Sequence, residues 1–153
     1  MKRVEFFKFT NGSKVSLPFT DSEYENRLKS LRKIIDENNL DAVVLTSMQN
    51  IAYYSGFLYC SFGRQYACVV TSKRSVVVSA NIDAGQPGRR CYGENLVYTD
   101  WEKDNYFKAI ISLIKRAKRV GIEKDHLTVE RLKNLKDSLG SPEIVDIAPS
   151  AMQ

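Results

Sequence analysis

The first long stretch of the chain repeats hydrophobic residues with a helical period. Four apolar residues recur at three- and four-residue steps, which places them on one face of an amphipathic helix: Tyr24, Leu28, Leu31 and Ile35. The segment Thr-Asp-Ser-Glu at residues 20–23 fits a capping box, in which the Thr20 hydroxyl and the Glu23 carboxylate each bond a backbone amide. Two asparagines at residues 38–39 end the pattern. We therefore expect a helix that begins beside Thr20 and ends near Asn38.

Short runs of β-branched residues come next and predict buried strands. The run at residues 42–45 is too brief for a helix. Residues 66–71 and 76–79 flank a polar connection of hairpin length, so these two strands are expected to be antiparallel neighbours. Later strands are predicted over three segments, at residues 96–98, 120–123 and 144–147. Residues 50–54 are short and mixed, and they receive no assignment.

The second half of the chain carries two further helical patterns. Asp104 is a plausible cap for a helix from Asn105 to about Arg119, and a last helix is expected from about Thr128 to Leu139. Residues 81–93 are rich in glycine and proline, which favours a loop with at most a short helical turn. Near the start, weak alternation at residues 4–9 and the Asn-Gly turn at 11–12 predict a hairpin or an extended arm.

Strands and helices therefore alternate along 153 residues, the usual size of one domain. Because the connections between strands are long enough to hold helices, the expected fold is a single α/β domain. Its sheet is expected to be mixed and largely parallel, with helices on both faces. Residues 1–18 form the predicted arm or hairpin, and residues 19–153 form the domain.

Charge and composition exclude several classes of partner. The net charge of +5 comes with a basic run at the end of a predicted helix, where cations interact favourably with the helix dipole: Lys115, Arg116, Lys118 and Arg119. No aromatic residues interleave with this run, so we expect no nucleic-acid partner. No stretch reaches the roughly 18 apolar residues needed to span a bilayer, and no signal peptide is apparent, which favours a cytoplasmic protein without a membrane partner.

The cysteines and the single histidine restrict the chemistry that this chain can perform. Cys60, Cys68 and Cys91 are odd in number and lack zinc-ligand spacing, so three reduced, unpaired thiols are expected. His126 directly precedes a predicted helix, and a loop or capping role is favoured over catalysis. The glycines form no phosphate-binding motif. We therefore expect no metal, no cofactor and no complete catalytic site within the chain.

An aromatic segment at residues 57–64 is the most distinctive candidate for chemistry. It carries three aromatic residues and a thiol between Gly56 and Gly63, and Arg64 follows directly. An arginine presents a planar fork that matches a carboxylate, and aromatic faces can stack on a small polar ligand. A buried aromatic strand explains the same composition equally well. The residues alone leave these two interpretations open.

Two motifs point to a known family: Asp-Ala-Val-Val-Leu-Thr at residues 41–46 and Asn-Ile-Ala-Tyr-Tyr-Ser-Gly-Phe at 50–57. They are similar to the amino-terminal domain of the creatinase, prolidase and aminopeptidase P family as a whole, and the resemblance extends from about Phe19 to the end of the chain. Three other motifs resemble its creatinase branch: Tyr-Cys-Ser-Phe-Gly-Arg at residues 59–64, Asn-Ile-Asp-Ala-Gly-Gln-Pro at 81–87 and Tyr-Thr-Asp-Trp at 98–101.

The resemblance implies that catalysis belongs to a carboxyl-terminal pita-bread domain absent from this chain. Creatinase-like enzymes hydrolyse creatine to sarcosine and urea without a metal, using a histidine of that domain. Their small domain reaches into the active site of the other subunit of a homodimer. Carried over by motif, Arg64 would pair with the creatine carboxylate, Phe62 would pack on its apolar part and Cys60 would lie close by.

Two alternatives remain at this stage. The chain resembles the equivalent domain of an Xaa-Pro dipeptidase or aminopeptidase P-like metallopeptidase, whose catalytic domain holds two metal ions. It could also be a stand-alone binding module. Arg64 best separates the creatinase hypothesis from the peptidase hypothesis. The sequence beyond Gln153 would separate these two and the stand-alone module from one another.

Overall fold

A computed structural model describes residues 2–59 and 63–151 of the chain. Within these ranges the chain forms seven strands and six helices, in this order: β1 (Phe6–Phe7), α1 (Asp21–Glu37), β2 (Ala42–Leu45), α2 (Met48–Ser55), β3 (Ala67–Val70), β4 (Ser75–Ala80), α3 (Gln86–Arg89), β5 (Glu94–Tyr98), α4 (Asn105–Ile114), β6 (Arg119–Ile122), α5 (Val129–Ser138), β7 (Glu143–Asp146) and α6 (Ala148–Ala151). A 3₁₀ turn, Asn81–Asp83, precedes α3.

The seven strands form one mixed sheet in the order β1-β5-β4-β3-β2-β6-β7. β4 and β5, β2 and β6, and β6 and β7 are parallel pairs. The other three pairs are antiparallel, and they include the predicted hairpin of β3 and β4. The predicted α/β domain with a mixed sheet is therefore confirmed, although parallel pairs do not outnumber antiparallel ones as the expected largely parallel sheet required.

Each face of the sheet carries its own hydrophobic core. On one face, α1 and α2 pack against alternate strand residues through Leu28, Leu31, Ile51 and Tyr54. On the other face, α4 supplies most of the helical side chains and α5 supplies Leu135. Successive strand residues point to opposite faces, so fully buried strands such as β2 serve both cores. The predicted helices on both faces are present.

The helix α1 agrees with its prediction except at one half of the capping box. The Thr20 hydroxyl accepts a hydrogen bond from the backbone amide of Glu23, as expected for an N-cap. The Glu23 carboxylate instead accepts a hydrogen bond from Arg27, one turn further along the helix, at 2.8 Å. The guanidinium of Arg27 also lies 4.2 Å from the ring centres of Phe19 and Tyr53, which fixes its position.

One boundary was predicted wrongly, and the structure decides two points that the sequence left open. Residues 50–54 belong to the helix α2, which begins after the N-cap Ser47. The helix α4 ends at Ile114, and Arg119 is the first residue of β6, so the basic run follows the helix and does not form its last turn. The opening segment, for which the sequence left a hairpin and an extended arm open, pairs through β1 with β5 and lies along the edge of the sheet.

The described residues contain no helix long and apolar enough to cross a membrane. Cys68 and Cys91 are buried free cysteines, in agreement with the predicted free thiols. Burial raises the pKa of Cys68 to about 12, so its thiol stays protonated at neutral pH. Cys60 lies outside the described residues.

Candidate functional site

The aromatic segment after α2 lines the floor of a surface cleft. Phe57 and Tyr59 are buried, whereas Leu58 between them is 69% exposed. The ring centres of Tyr59 and Tyr66 are 4.3 Å apart in a stacked arrangement, and Phe57 packs at 5.9 Å from Tyr66. Residues 56–59 form no strand. The described part of the segment is therefore a loop with a buried aromatic side, which combines features of both sequence interpretations.

Arg64 is the predicted site residue that the structure describes, since Cys60 and Phe62 lie outside the described residues. Its guanidinium Nη2 lies 3.5 Å from Oδ2 of Asp100, and the two side chains are 43% and 32% exposed. This is a solvent-accessible ion pair with a long separation, and such pairs contribute little to stability. The guanidinium therefore has an exposed surface that a ligand can reach.

Tyr98, at the end of β5, holds the backbone next to Arg64. Its hydroxyl accepts a hydrogen bond from the Gln65 amide at 3.1 Å and donates one to the Gln65 carbonyl at 3.0 Å. Burial raises the pKa of Tyr98 to about 12, so the hydroxyl keeps its proton and can make both bonds at neutral pH. The predicted motif at residues 98–101 therefore contacts the Arg64 segment twice, through Tyr98 and Asp100.

The cleft beside Arg64 has a volume of about 570 Å³. Aromatic, aliphatic and charged side chains line it together: Phe57, Leu58, Tyr59, Arg64, Tyr66, Ile82, Asp83, Gln86 and Pro87. Within it, the Tyr66 hydroxyl donates a hydrogen bond to Oδ2 of Asp83 at 2.9 Å. Partial burial raises the pKa of Asp83, and the Tyr66 hydrogen bond opposes this effect. The cleft can therefore present both a cation and an anion to a small ligand.

The loop is also anchored at Tyr59 by a buried polar network. The Tyr59 hydroxyl donates to the Thr46 carbonyl at 2.9 Å. Glu123, which directly follows β6 and is 2% exposed, accepts hydrogen bonds from the backbone amides of Thr46 and Ser47. It also accepts from the Ser47 hydroxyl and from the Asn50 side chain. The Glu123 carboxylate thus fixes the turn between β2 and α2. The hydrogen bond from Tyr59 to Thr46 attaches the loop to this turn.

His126 lies in the turn between β6 and α5, and its Nδ1 is 2.9 Å from the Thr46 hydroxyl. It is therefore a loop residue in a hydrogen bond, as the sequence indicated. No group of three or more histidine, cysteine or acidic side chains that could hold a metal ion occurs within residues 2–59 and 63–151.

Asp83 and Tyr98 are site residues to which the sequence analysis gave no role. Both lie in motifs that carried the resemblance, at residues 81–87 and 98–101. Their chemistry was not apparent, because each acts through a partner from a distant segment, namely Tyr66 and Gln65. The signal that could have found them is that both residues lie in motifs that resemble creatinase, as the motif of Arg64 does.

Comparison with known proteins identifies the family to which this chain belongs. The family model of the Creatinase/Prolidase N-terminal domain matches residues 27–152, and the chain belongs to this family. Among individual proteins, the chain is 43% identical over 145 residues to a creatinase of Bacillus sp. (strain B-0618). The match covers 92% of this chain and 35% of that protein, so the chain spans about a third of its relative's length.

Solved structures confirm the fold. The Creatinase/Prolidase N-terminal domain of an X-Pro dipeptidase from Streptococcus pyogenes superposes with a TM-score of 0.74 at 18% identity, covering 83% of this chain and 97% of that one. The prolidase from Pyrococcus horikoshii OT3 matches with a TM-score of 0.68 at 17% identity, covering 82% of this chain and 33% of that one.

Proposed function

We propose that this chain is the substrate-contacting and dimerisation domain of a creatinase-like hydrolase, which converts creatine and water to sarcosine and urea. The observation that carries the proposal is the 43% identity to a creatinase across 92% of the chain. The likeness to the peptidase structures, at 17–18% identity, concerns the fold alone.

The chemistry of the cleft supports this choice of substrate. Creatine carries one carboxylate and one planar guanidinium group. The exposed fork of Arg64 suits the carboxylate, because two parallel N–H donors match its two oxygens. By the family resemblance, Phe62 packs on the apolar part of creatine and Cys60 lies nearby.

Catalysis then belongs to the rest of a longer protein. The chain covers 35% of the Bacillus creatinase, and the resemblance places a pita-bread catalytic domain in the remainder. In the proposed homodimer, Arg64 of one subunit reaches the catalytic domain of the other. The isolated domain therefore folds without turning over creatine. The buried free thiols Cys68 and Cys91 suit a reducing compartment, and we propose the cytoplasm.

A chimera tests the proposal directly. The matching third of the Bacillus creatinase is replaced by this chain, and urea release from creatine is measured. Removing the guanidinium with Arg64→Ala is expected to cost about 2–5 kcal/mol, as for a truncated charge pair in an interface. This corresponds to a fall in kcat/KM of roughly thirty-fold to several thousand-fold. Arg64→Lys keeps the charge without the fork and should fall in between.

Subunit mixing separates a shared site from a local one. The Arg64→Ala chimera is mixed with a second chimera whose catalytic histidine, in the Bacillus portion, is replaced. If Arg64 serves the neighbouring subunit, each heterodimer contains one site with both contributions intact, and activity returns. Confirmed subunit exchange without activity would contradict the shared site, and normal kinetics of Arg64→Ala would contradict the substrate contact.

A further inference from the structure

Two tyrosine hydroxyls hold the backbone that directly follows Arg64. The Tyr98 hydroxyl accepts from the Gln65 amide and donates to the Gln65 carbonyl, at 3.1 and 3.0 Å. The Tyr106 hydroxyl donates to the carbonyl of the next residue, Tyr66, at 3.1 Å. Both tyrosines are buried, so these bonds form away from bulk solvent. Three backbone groups next to Arg64 therefore depend on two side chains from other elements.

The register of the sheet explains how Tyr98 reaches Gln65 from two strands away. Tyr98 is the last residue of β5 and lies beside Ala80 of β4. In the antiparallel pair of β3 and β4, Ala67 is opposite Val78, so Gln65, two residues earlier, comes level with Ala80. Ala80 is fully buried and carries only a methyl group. This small residue leaves room for the Tyr98 ring to cross β4.

The two tyrosines belong to regular elements and pack on each other. Tyr106 is the second residue of α4, and its ring centre lies 5.4 Å from that of Tyr98 in an edge-to-face arrangement. The ring of Phe107 packs on Tyr106 in the same way, at 5.1 Å. Side chains that are locked by packing on strands and helices position a site more accurately than a loop does by itself.

The contacts of the Arg64 side chain fix it less firmly than the contacts of the following backbone. Its ion pair with Asp100 is 3.5 Å long and is solvent-accessible on both sides. Such pairs are weak. The position of the guanidinium therefore depends on where the backbone places the start of a long side chain. A displacement of only about 1 Å at a reacting or binding group can cost a large factor in rate.

We propose that Tyr98 and Tyr106 are positioning residues, which hold Arg64 where it meets the substrate carboxylate. The proposal rests on the proposed function, in which Arg64 binds that carboxylate. Both hydroxyls bond the protein backbone, so they act on the substrate only through Arg64. Their removal should therefore matter for activity only while Arg64 is present.

The substitution Tyr98→Phe keeps the ring and removes the hydroxyl. In the creatinase chimera, kcat/KM for creatine should fall by about tenfold, because Arg64 is displaced but not lost. Tyr106→Phe should have a smaller effect, since its partner Tyr66 is one residue further from Arg64. Tyr54→Phe is the matched control: the buried Tyr54 hydroxyl also donates to a backbone carbonyl, that of Ala151 at 3.0 Å, in the core on the other face of the sheet.

The control separates positioning from stability. All three substitutions remove one buried hydroxyl, and each should lower the melting temperature, because a buried backbone group loses its partner. Tyr54→Phe should nevertheless keep the kcat/KM of the unsubstituted chimera. If Tyr54→Phe and Tyr98→Phe reduce kcat/KM equally, the loss reflects general destabilisation and the proposal fails.

A double-mutant cycle tests whether Tyr98 acts through Arg64. Tyr98→Phe is introduced into the chimera that already carries Arg64→Ala. We expect no further fall in kcat/KM, because the residue to be positioned is missing. A tyrosine that only stabilised the fold would lower the active fraction by the same factor in both backgrounds. Equal factors in the two backgrounds would overturn the proposal.

NMR relaxation of the 153-residue chain provides a measurement without catalysis. Backbone order parameters are obtained for the amides of Arg64 and Tyr66. They should be about 0.85 in the native chain, typical of rigid backbone, and should fall clearly in Tyr98→Phe. Tyr54→Phe should leave them unchanged. Equal order parameters in the native chain and in Tyr98→Phe would overturn the proposal.

The two measurements distinguish failure of the proposal from failure of the proposed function. If Arg64→Ala impairs the chimera and Tyr98→Phe does not, Arg64 binds substrate without help from Tyr98, and only the positioning proposal fails. If Arg64→Ala keeps normal kinetics, the proposed substrate contact fails. A fall in the order parameters would then still support Tyr98 as the residue that holds Arg64, for a ligand other than creatine.

Discussion

The Glu123 carboxylate accepts four hydrogen bonds while almost completely buried. Two come from backbone amides, those of Thr46 and Ser47, and two from the side chains of Ser47 and Asn50, at distances of 2.5–2.9 Å. Buried charges are tolerated when donors of this kind replace water. Sequence alone did not show this role, because Glu123 is 73 or more residues away from each of its partners.

The substitution Glu123→Gln should destabilise the domain. The amide group of the new side chain would direct N–H donors at positions where the protein already presents donors, so at least one buried donor loses its acceptor. We expect the free energy of unfolding to fall by about 1–3 kcal/mol, measured by urea denaturation. Glu37→Gln is the control: Glu37 is 60% exposed and should change stability by less than about 0.5 kcal/mol. Equal effects of the two substitutions would contradict the structural role of Glu123.

Among the elements, α1 and the β3–β4 hairpin were predictable because local signals specify them. Spacing of apolar residues and the Thr20 cap were enough for α1. The helix α2 was missed because it has only eight residues, and its first turn is completed by the distant Glu123. The pairing of β1 could not be read locally either, since its partner β5 is about 90 residues further along the chain. The sequence pattern did not predict α2 or the pairing of β1, because contacts with distant residues determine both.

The boundary between α4 and β6 has a specific tertiary cause. Asp41, directly before β2, accepts hydrogen bonds from the backbone amides of Lys118 and Arg119 at 2.7 and 3.0 Å. Its own amide donates to the Arg119 carbonyl at 2.9 Å. These contacts hold Arg119 at the start of a strand that runs parallel to β2. They account for the end of the helix at Ile114, before the predicted position near Arg119.

The same contacts predict a pH-dependent contribution to stability. The backbone hydrogen bonds from Arg119 and Lys118 lower the pKa of Asp41 below its ordinary value of 3.8. A carboxylate with a lowered folded-state pKa contributes stability above its unfolded-state pKa, and loses it as the pH falls through the folded-state value. The stability difference between the native chain and Asp41→Asn should therefore shrink when urea denaturation is moved from about pH 6 to about pH 3. A difference that stays constant would contradict this role.

For the molecule as a whole, the sequence pointed to one residue of the candidate site but not to the side chains that surround it. The resemblance identified Arg64, and the structure gives it an exposed guanidinium beside a cleft. The hydrogen-bonded pair of Tyr66 and Asp83 in that cleft depends on two segments joined only by folding. The roles of Phe62 and Cys60 stay predictions, because both lie outside the described residues.

The opening arm contacts two parts of the structure, although it has little secondary structure of its own. Phe6 and Phe7 pair with β5. Further along, the Asn11 amide donates to the Gly85 carbonyl at 3.3 Å, and a Cβ on Gly85 would lie 2.6 Å from the ring of Phe9. Gly85 also has a φ of +76°, so other residues would be strained there. The arm therefore packs on the segment that leads into α3, next to the cleft.

Removal of residues 1–9 should lower stability and promote self-association. The deletion removes the Val4 carbonyl, which accepts from the Trp101 ring at 2.7 Å, and the Glu5 carbonyl, which accepts from the Thr99 amide at 2.9 Å. At about 1 kcal/mol for each hydrogen bond, a loss of roughly 2–3 kcal/mol is expected. It also exposes the edge of β5, and an unprotected strand edge can pair with another molecule.

The matched control deletes only residues 1–3, which leaves β1 and both carbonyls in place. Thermal unfolding and sedimentation velocity at low and high protein concentration compare the two truncations. We expect the longer deletion alone to lower the melting temperature, and its sedimentation coefficient to rise more steeply with concentration than that of the control. If both truncations match the full chain in these measurements, the arm neither stabilises the sheet nor protects the β5 edge.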